Sequence, residues 1–202
     1  MLELSHVGEI LISEILTRSL EARQVLRSAG CAISENLVIV PEVRPNNCGP
    51  LAFDGTHRID VAVLDLDTRI CFPFEAKLGL DRLSKNEFSK RFLNQCGTSH
   101  KDTRVRGSMI SILERMLPSE CNNHEMTVDY QNRAYPVSKK WGLICRAKII
   151  KKWSNAGSPP LSPDCIPICF EDLAAAYGSA QEFNTLVTEL LNQDYYANWV
   201  NR

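Results

Sequence analysis

The segment Arg58-Ile59-Asp60-Val61-Ala62-Val63-Leu64-Asp65-Leu66, a short turn at Asp67-Thr68, and Ile70-Cys71-Phe72-Pro73-Phe74-Glu75-Ala76-Lys77-Leu78 decides how this 202-residue chain is read. Both runs are apolar, rich in β-branched and aromatic residues and too short for buried helices, which makes them strands around a turn. Side chains alternate across a strand, so Glu75 and Lys77 share one face while Phe74, Ala76 and Leu78 take the other. A turn centred on Asp67-Thr68 puts Asp60 directly opposite Glu75, with Cβ atoms about 5 Å apart. Two carboxylates and an ammonium are thus expected on one side of a sheet.

Adjacent carboxylates repel unless something cationic sits between them. Asp60 interrupts the run IDVAVL and Glu75 follows FPF, and charges in strands of that character need a partner or a purpose. A hard divalent cation suits the pair, because Mg²⁺ takes carboxylate oxygens and keeps positions open for water and phosphate. A neighbouring lysine can orient or help deprotonate the attacking water, and can stabilise charge developing on a phosphate. Those are the requirements of metal-assisted phosphodiester hydrolysis. The bland alternative is a surface hairpin whose three charges form ordinary solvated ion pairs.

Outward from the hairpin, residues 3–28 carry apolar side chains at i, i+4 spacing (Val7, Leu11, Ile15, then Ile12, Leu16, Leu20), and Gly30 stands at the expected stop. One long helix is predicted there. Leu37–Val43 reads as a strand, with Pro41 marking an edge or an irregularity. Helices are predicted over residues 84–95 and around Met109–Met116, a fourth strand over Trp141–Ile150 and a fifth over Ile166–Phe170. A helix over Glu171–Tyr177 and an amphipathic helix over residues 180–200 complete the chain. The layout is α/β, a mixed sheet with helices on its faces.

Asp60, a hairpin, then Glu75-Ala76-Lys77 resembles the PD-(D/E)xK nuclease superfamily, the restriction-endonuclease-like fold, with Ile59 where the motif's proline would stand. The family's order of helix, three strands, helix and strand matches the reading across roughly residues 3–150. The resemblance implies a single nuclease-like domain over 1–202, with the strand and helices of 160–202 as elaboration. By it Asp60 is the metal-binding aspartate, and Glu75 and Lys77 are the (D/E)xK pair. Many members add a glutamate from the first helix. Glu14 is expected to supply it, with Glu9 and the strand residue Glu42 as alternatives. The implied activity is a Mg²⁺-dependent endonuclease of restriction or defence type acting on DNA, in which Mn²⁺ substitutes for Mg²⁺. The rival readings are a non-catalytic nucleic-acid-binding module and an assembly subunit on the same fold.

Charge distribution bears on the partner. The chain sums to −1, yet residues 76–106 carry 8 basic against 3 acidic groups and residues 133–152 carry 7 against none. Lys and Arg in such blocks neutralise phosphates. Lys85, Lys90, Arg91, Arg104 and Arg106 after the catalytic strand, and Lys139 and Lys140 before the fourth strand, are the expected nucleic-acid contacts. The C-terminal helix, with Tyr195, Tyr196 and Trp199 near its end, is a candidate surface for a homodimer or partner subunit.

Hydrophobic residues make up 44% and charged residues 23%, close to the globular averages of about 45–50% and 25%, which excludes wholesale disorder. No apolar run reaches the ~18 residues of a membrane helix, so no membrane partner is expected. Eight cysteines show no CxxC pair, and reduced thiols in a cytoplasmic protein fit better than a disulfide or zinc framework. The start Met1-Leu2-Glu3-Leu4 lacks the basic flank of a secretory leader.

Overall fold

Twelve elements follow one another in the computed structural model, which describes residues 4–31, 33–46, 58–78, 126–154 and 164–192. They are α1 (Leu4–Arg18), α2 (Leu20–Ser28), β1 (Leu37–Val43), β2 (Ile59–Asp65), β3 (Ile70–Lys77), β4 (Thr127–Tyr130), β5 (Arg133–Pro136), β6 (Trp141–Cys145), α3 (Ala147–Ser154), β7 (Cys165–Cys169), α4 (Phe170–Tyr177) and α5 (Ala180–Leu191). The central sheet has the order β1-β2-β3-β6-β7, and β4-β5 form a separate two-stranded sheet. β1, β2 and β3 run antiparallel, whereas β6 and β7 join parallel to β3. The α/β expectation therefore holds as a mixed five-stranded sheet with helices against it.

The β2–β3 ladder runs from Val61↔Phe74 to Asp65↔Ile70, the register expected from a turn at Asp67-Thr68. Asp65 builds that turn: Oδ1 accepts from the backbone N–H of Asp67 and of Thr68, both at 3.0 Å. Its Oδ2 accepts from the Ser34 N–H at 2.6 Å, and Arg69 adopts φ 57° to close the loop. β1 lies at the sheet edge, where Pro41 is tolerated.

Alternation divides the core between two faces. Val61, Val63, Phe72, Phe74, Ile144 and Ile168 pack with Ile12, Ile15 and Leu16 of α1 and with Leu26, Leu173 and Leu186. Ala62, Leu64, Cys71, Leu143 and Cys145 face the other way, towards Val128, Tyr135 and Ile149. Fully buried residues such as Phe74 and Leu143 contribute about 1.5–3 kcal/mol each. Gly142 stands beside Phe74 in register, and any Cβ there would overlap the Phe74 ring.

Five expectations are corrected. The first helix is two: α1 ends at Arg18, and Ser19 (φ −118°, ψ 120°) starts α2 by accepting from the Ala22 N–H at 3.1 Å. Arg23 stabilises the break by donating from Nε to the Leu16 carbonyl (2.7 Å) and from Nη2 to that of Thr17 (2.9 Å), satisfying the end of α1. The fourth strand stops at Cys145, and its predicted second half, Ala147–Ile150, is the start of α3. Glu171 accounts for this, since its Oε2 accepts from the Ala147 N–H at 2.8 Å and caps the helix. The β4–β5 hairpin was not expected. Gln131 (φ 48°) and Asn132 (φ 61°) give it the paired left-handed turn that suits a two-residue connection. The fifth strand is shifted by one residue, to Cys165–Cys169. The final helix ends at Leu191, where Asn192 turns to extended backbone (φ −72°, ψ 123°), rather than running to residue 200. The helices predicted over 84–95 and around 109–116, and all residues beyond Asn192, lie outside the described residues.

Candidate active site

The β2–β3 hairpin opens at the end opposite its turn, and the acidic residues gather there. The β2–β3 ladder's last pair is Val61↔Phe74, so Asp60 has no ladder partner on β3, although the β1–β2 ladder continues past it to Val43↔Ile59. Asp60 Oδ2 instead accepts from the Ala76 N–H at 2.8 Å and from Lys77 Nζ at 2.6 Å. Lys77 Nζ also stands 2.9 Å from Glu75 Oε2. Asp60, Glu75 and Lys77 thus meet at one place, as the alternation of β3 requires. Glu75 is 2% exposed, and its Oε1 is buried with no hydrogen-bond partner among the described residues.

Electrostatics follow from three carboxylates competing for one ammonium. Burial, and then the charge of Asp60, push the Glu75 carboxyl up to about 8, with Lys77 offsetting only part of this. Glu75 also comes within bonding reach of Asp60, a contact that requires a proton. Burial alone would lower the Lys77 ammonium, but Glu75 and Asp60 outweigh it and hold it above its ordinary value. It therefore stays charged.

The third carboxylate is Glu9, not Glu14. Burial raises Glu9 to about 8, followed by the charge of Asp60 and a carboxyl–carboxyl bond with Glu42, while Lys77 pulls the other way. Glu14 is turned elsewhere: its Oε2 takes the Arg18 Nε at 2.7 Å, and Arg18 Nη1 reaches Glu189 Oε2 at 3.0 Å. Arg18, held by Glu14, ties α1 to α5. The two glutamates are five residues apart and so project about 140° apart around the helix. Glu9 continues the stripe of Ile12 and Leu16 at i, i+3, i+7, and those two residues are wholly buried. That stripe was the available signal. Gly8 lets α1 come close, since a Cβ there would stand 3.2 Å from Leu78 Cδ1.

Glu42, the reserve, reaches the cluster as well. It adopts φ 48°, a left-handed backbone unusual for a residue with a side chain, and its Oε2 accepts from Arg58 Nη1 at 2.8 Å. Arg58 was not among the expected site residues. Its position two residues before Asp60, as the cation flanking an apolar run, was the sequence signal for it.

Among the described residues, no three His, Cys, Asp or Glu side chains surround a common point in a metal-holding arrangement. Mg²⁺ needs fewer protein ligands, one or two carboxylates with water and phosphate completing the set. Asp60 and Glu75 supply hard oxygen donors, and the buried Oε1 of Glu75 has no hydrogen-bond partner among the described residues. Their chemistry fits a hard divalent cation.

The basic residues separate. Cys145 stands in register with Lys77, so Arg146 and Lys148 follow at the same end of the sheet as the acidic cluster. Lys139 and Lys140 precede the opposite end of β6, where the Ser138 N–H donates to the Cys71 carbonyl near the hairpin turn. Lys139 and Lys140 thus lie towards the other end of the sheet from Lys77. Lys85, Lys90, Arg91, Arg104 and Arg106 lie outside the described residues. None of the five described cysteines is in a disulfide. Comparison with family models, with curated proteins and with solved structures finds no match to the chain.

Proposed function

We propose that this protein is a Mg²⁺-dependent nuclease that hydrolyses DNA phosphodiester bonds, with its strands arranged as a restriction-endonuclease-like core. One observation carries the reading: a buried carboxyl oxygen of Glu75 with no hydrogen-bond partner among the described residues, beside Asp60 and Lys77 at the open end of a hairpin. A structural ion pair satisfies its carboxylates with N–H donors, whereas here Glu75 meets the carboxyl of Asp60 through a shared proton, in a cluster short of positive charge.

In this reading Asp60 and Glu75 hold the ion, with Glu9 next to Asp60. Bound there, Mg²⁺ would polarise the phosphate and lower the pKa of a water. Lys77 keeps its proton, so it stabilises charge developing on the phosphate rather than serving as a base. Glu9 and Glu75 titrate near pH 8, which makes them the groups able to give or take a proton around neutrality. Ala76 contributes its backbone N–H, which fixes the Asp60 carboxylate.

The test is cleavage of a labelled DNA duplex by wild type and Lys77→Ala, with Mg²⁺ and with EDTA. Cleavage by wild type alone, and only with Mg²⁺, supports the reading. Equal activity in Lys77→Ala would place the chemistry elsewhere. A second reading, a non-catalytic binding or assembly module, is favoured by the Lys77 ammonium lying between the two carboxylates, where a cation would have to go. Absence of cleavage under every metal, with DNA binding intact, would select it.

A further inference from the structure

Lys77 is committed to two carboxylates, and its side chain is only 22% exposed. A polyanion approaching Glu9, Glu42, Asp60 and Glu75 therefore meets excess negative charge unless another cation stands at the rim. Arg58 does. Its side chain is 44% exposed, it precedes Asp60 by two residues, and its Nη1 is held by Glu42 Oε2 at 2.8 Å. That is its one hydrogen bond among the described residues, which leaves Nε and Nη2 uncommitted. A guanidinium presents five N–H groups in a planar fork that matches phosphate, and a lysine lacks that geometry.

Glu42 has no simple structural reason for its shape. A strand residue with φ 48° is costly, and such backbone persists where its surroundings enforce it. Here the left-handed turn places one carboxylate against both Glu9 and Arg58. Glu42 thus joins the acidic cluster to the rim cation.

We propose that Arg58 holds a backbone phosphate of the nucleic acid at the rim of the acidic cluster, and that Glu42 is the positioning residue that aims its guanidinium. This rests on the nuclease reading for the identity of the polyanion. The contact is to phosphate and carries no base preference.

The experiment measures anisotropy of a fluorescein-labelled 20-base-pair DNA across a salt series in EDTA, with cleavage followed separately in Mg²⁺. Arg58→Ala is expected to weaken binding about tenfold or more, as loss of a charged hydrogen bond does, and to reduce the salt slope by about one unit. Arg58→Lys should recover the slope but only part of the affinity. Glu42→Gln, which keeps the size and loses the charge, should weaken binding less than Arg58→Ala and raise KM more than it lowers kcat. Circular dichroism confirms folding, and Arg58→Lys carries the test if Arg58→Ala does not fold. Binding by Arg58→Ala equal to wild type overturns the proposal even if the wild type cuts DNA. Arg58-dependent binding without any cleavage sustains the proposal while the nuclease reading fails. A wild type that neither binds nor cuts DNA overturns both.

Discussion

The two ends of the β2–β3 hairpin use the same kind of side chain to opposite ends. At the turn, Asp65 is buried and receives three backbone N–H groups, from Ser34, Asp67 and Thr68. Burial pushes its carboxyl up, but those bonds outweigh burial and hold it below its ordinary value. Five residues earlier, Asp60 shares one lysine with Glu75, and the neighbouring carboxyls rise to about 8. Donor supply makes the difference. A carboxylate matched by N–H groups stabilises the fold, and one crowded by other carboxylates stores unfavourable charge that a cation could relieve.

Substitutions at the two ends should therefore part in sign. Glu75→Gln is expected to cut DNA cleavage by about a thousandfold or more, in keeping with loss of a group acting on the reacting centre. Gel-based initial rates check this, and DNA binding should stay within about threefold because the basic surface is untouched. Cleavage near the wild-type rate would erase the contrast.

Asp65→Ala should do the reverse. It leaves buried N–H groups unsatisfied and is expected to cost about 2–3 kcal/mol in urea unfolding, with the cleavage rate of the folded fraction unchanged under the proposed function. A stable Asp65→Ala protein would mean that the turn is held by the ladder alone.

The pH dependence separates the ends again. Glu9 and Glu75 have folded-state values raised from 4.5 to about 8, so the unfolded chain releases their protons first. The stability they contribute is present below about pH 4.5 and is lost as pH rises towards 8. Asp65 runs the other way: its contribution is present above its unfolded value of 3.8 and is lost as pH falls below it. Thermal melting without divalent ions should give a Tm that declines between pH 5 and pH 8.5. Glu75→Gln should flatten that decline and melt above wild type at pH 8.5, the trade of function against stability expected of a strained site. An increase in Tm across that range would contradict the charge crowding.

The smallest effect distinguishes the two helix glutamates. Glu14→Gln breaks a partly exposed ion pair with Arg18 and should cost no more than about 1 kcal/mol, with cleavage within twofold of wild type. Glu9→Gln should lower cleavage at least tenfold with little change in stability at pH 5, where the Glu9 carboxyl is already protonated. The reversed pattern would restore Glu14 to the site.

Much of this was legible because hairpins are local. The alternation of β3 and the turn at Asp67-Thr68 set the register, and the register brings Asp60, Glu75 and Lys77 together. Likewise Ser179 and Glu182 form a capping box that announces α5 within four residues. What escaped depended on distant partners. The break at Ser19 is joined to α4, since its hydroxyl donates to the Ala176 carbonyl at 3.0 Å. The helix at Ala147 is capped from Glu171, while its Ile149-Ile150 reads locally as strand. The choice between Glu9 and Glu14 depends on how α1 rolls onto the sheet, which the burial of Ile12, Ile15 and Leu16 determines.

Calorimetric titration of Mn²⁺ into the DNA-free protein at pH 7, in two buffers of different ionisation enthalpy, tests most directly whether the open end of the hairpin is a cation site. Wild type should bind the ion and release protons from the raised carboxyls, with release fading above pH 8. Glu75→Gln should lose most of the affinity. Wild type that takes up no Mn²⁺ at millimolar concentration, or binds it without proton release and as well as Glu75→Gln does, would contradict the account.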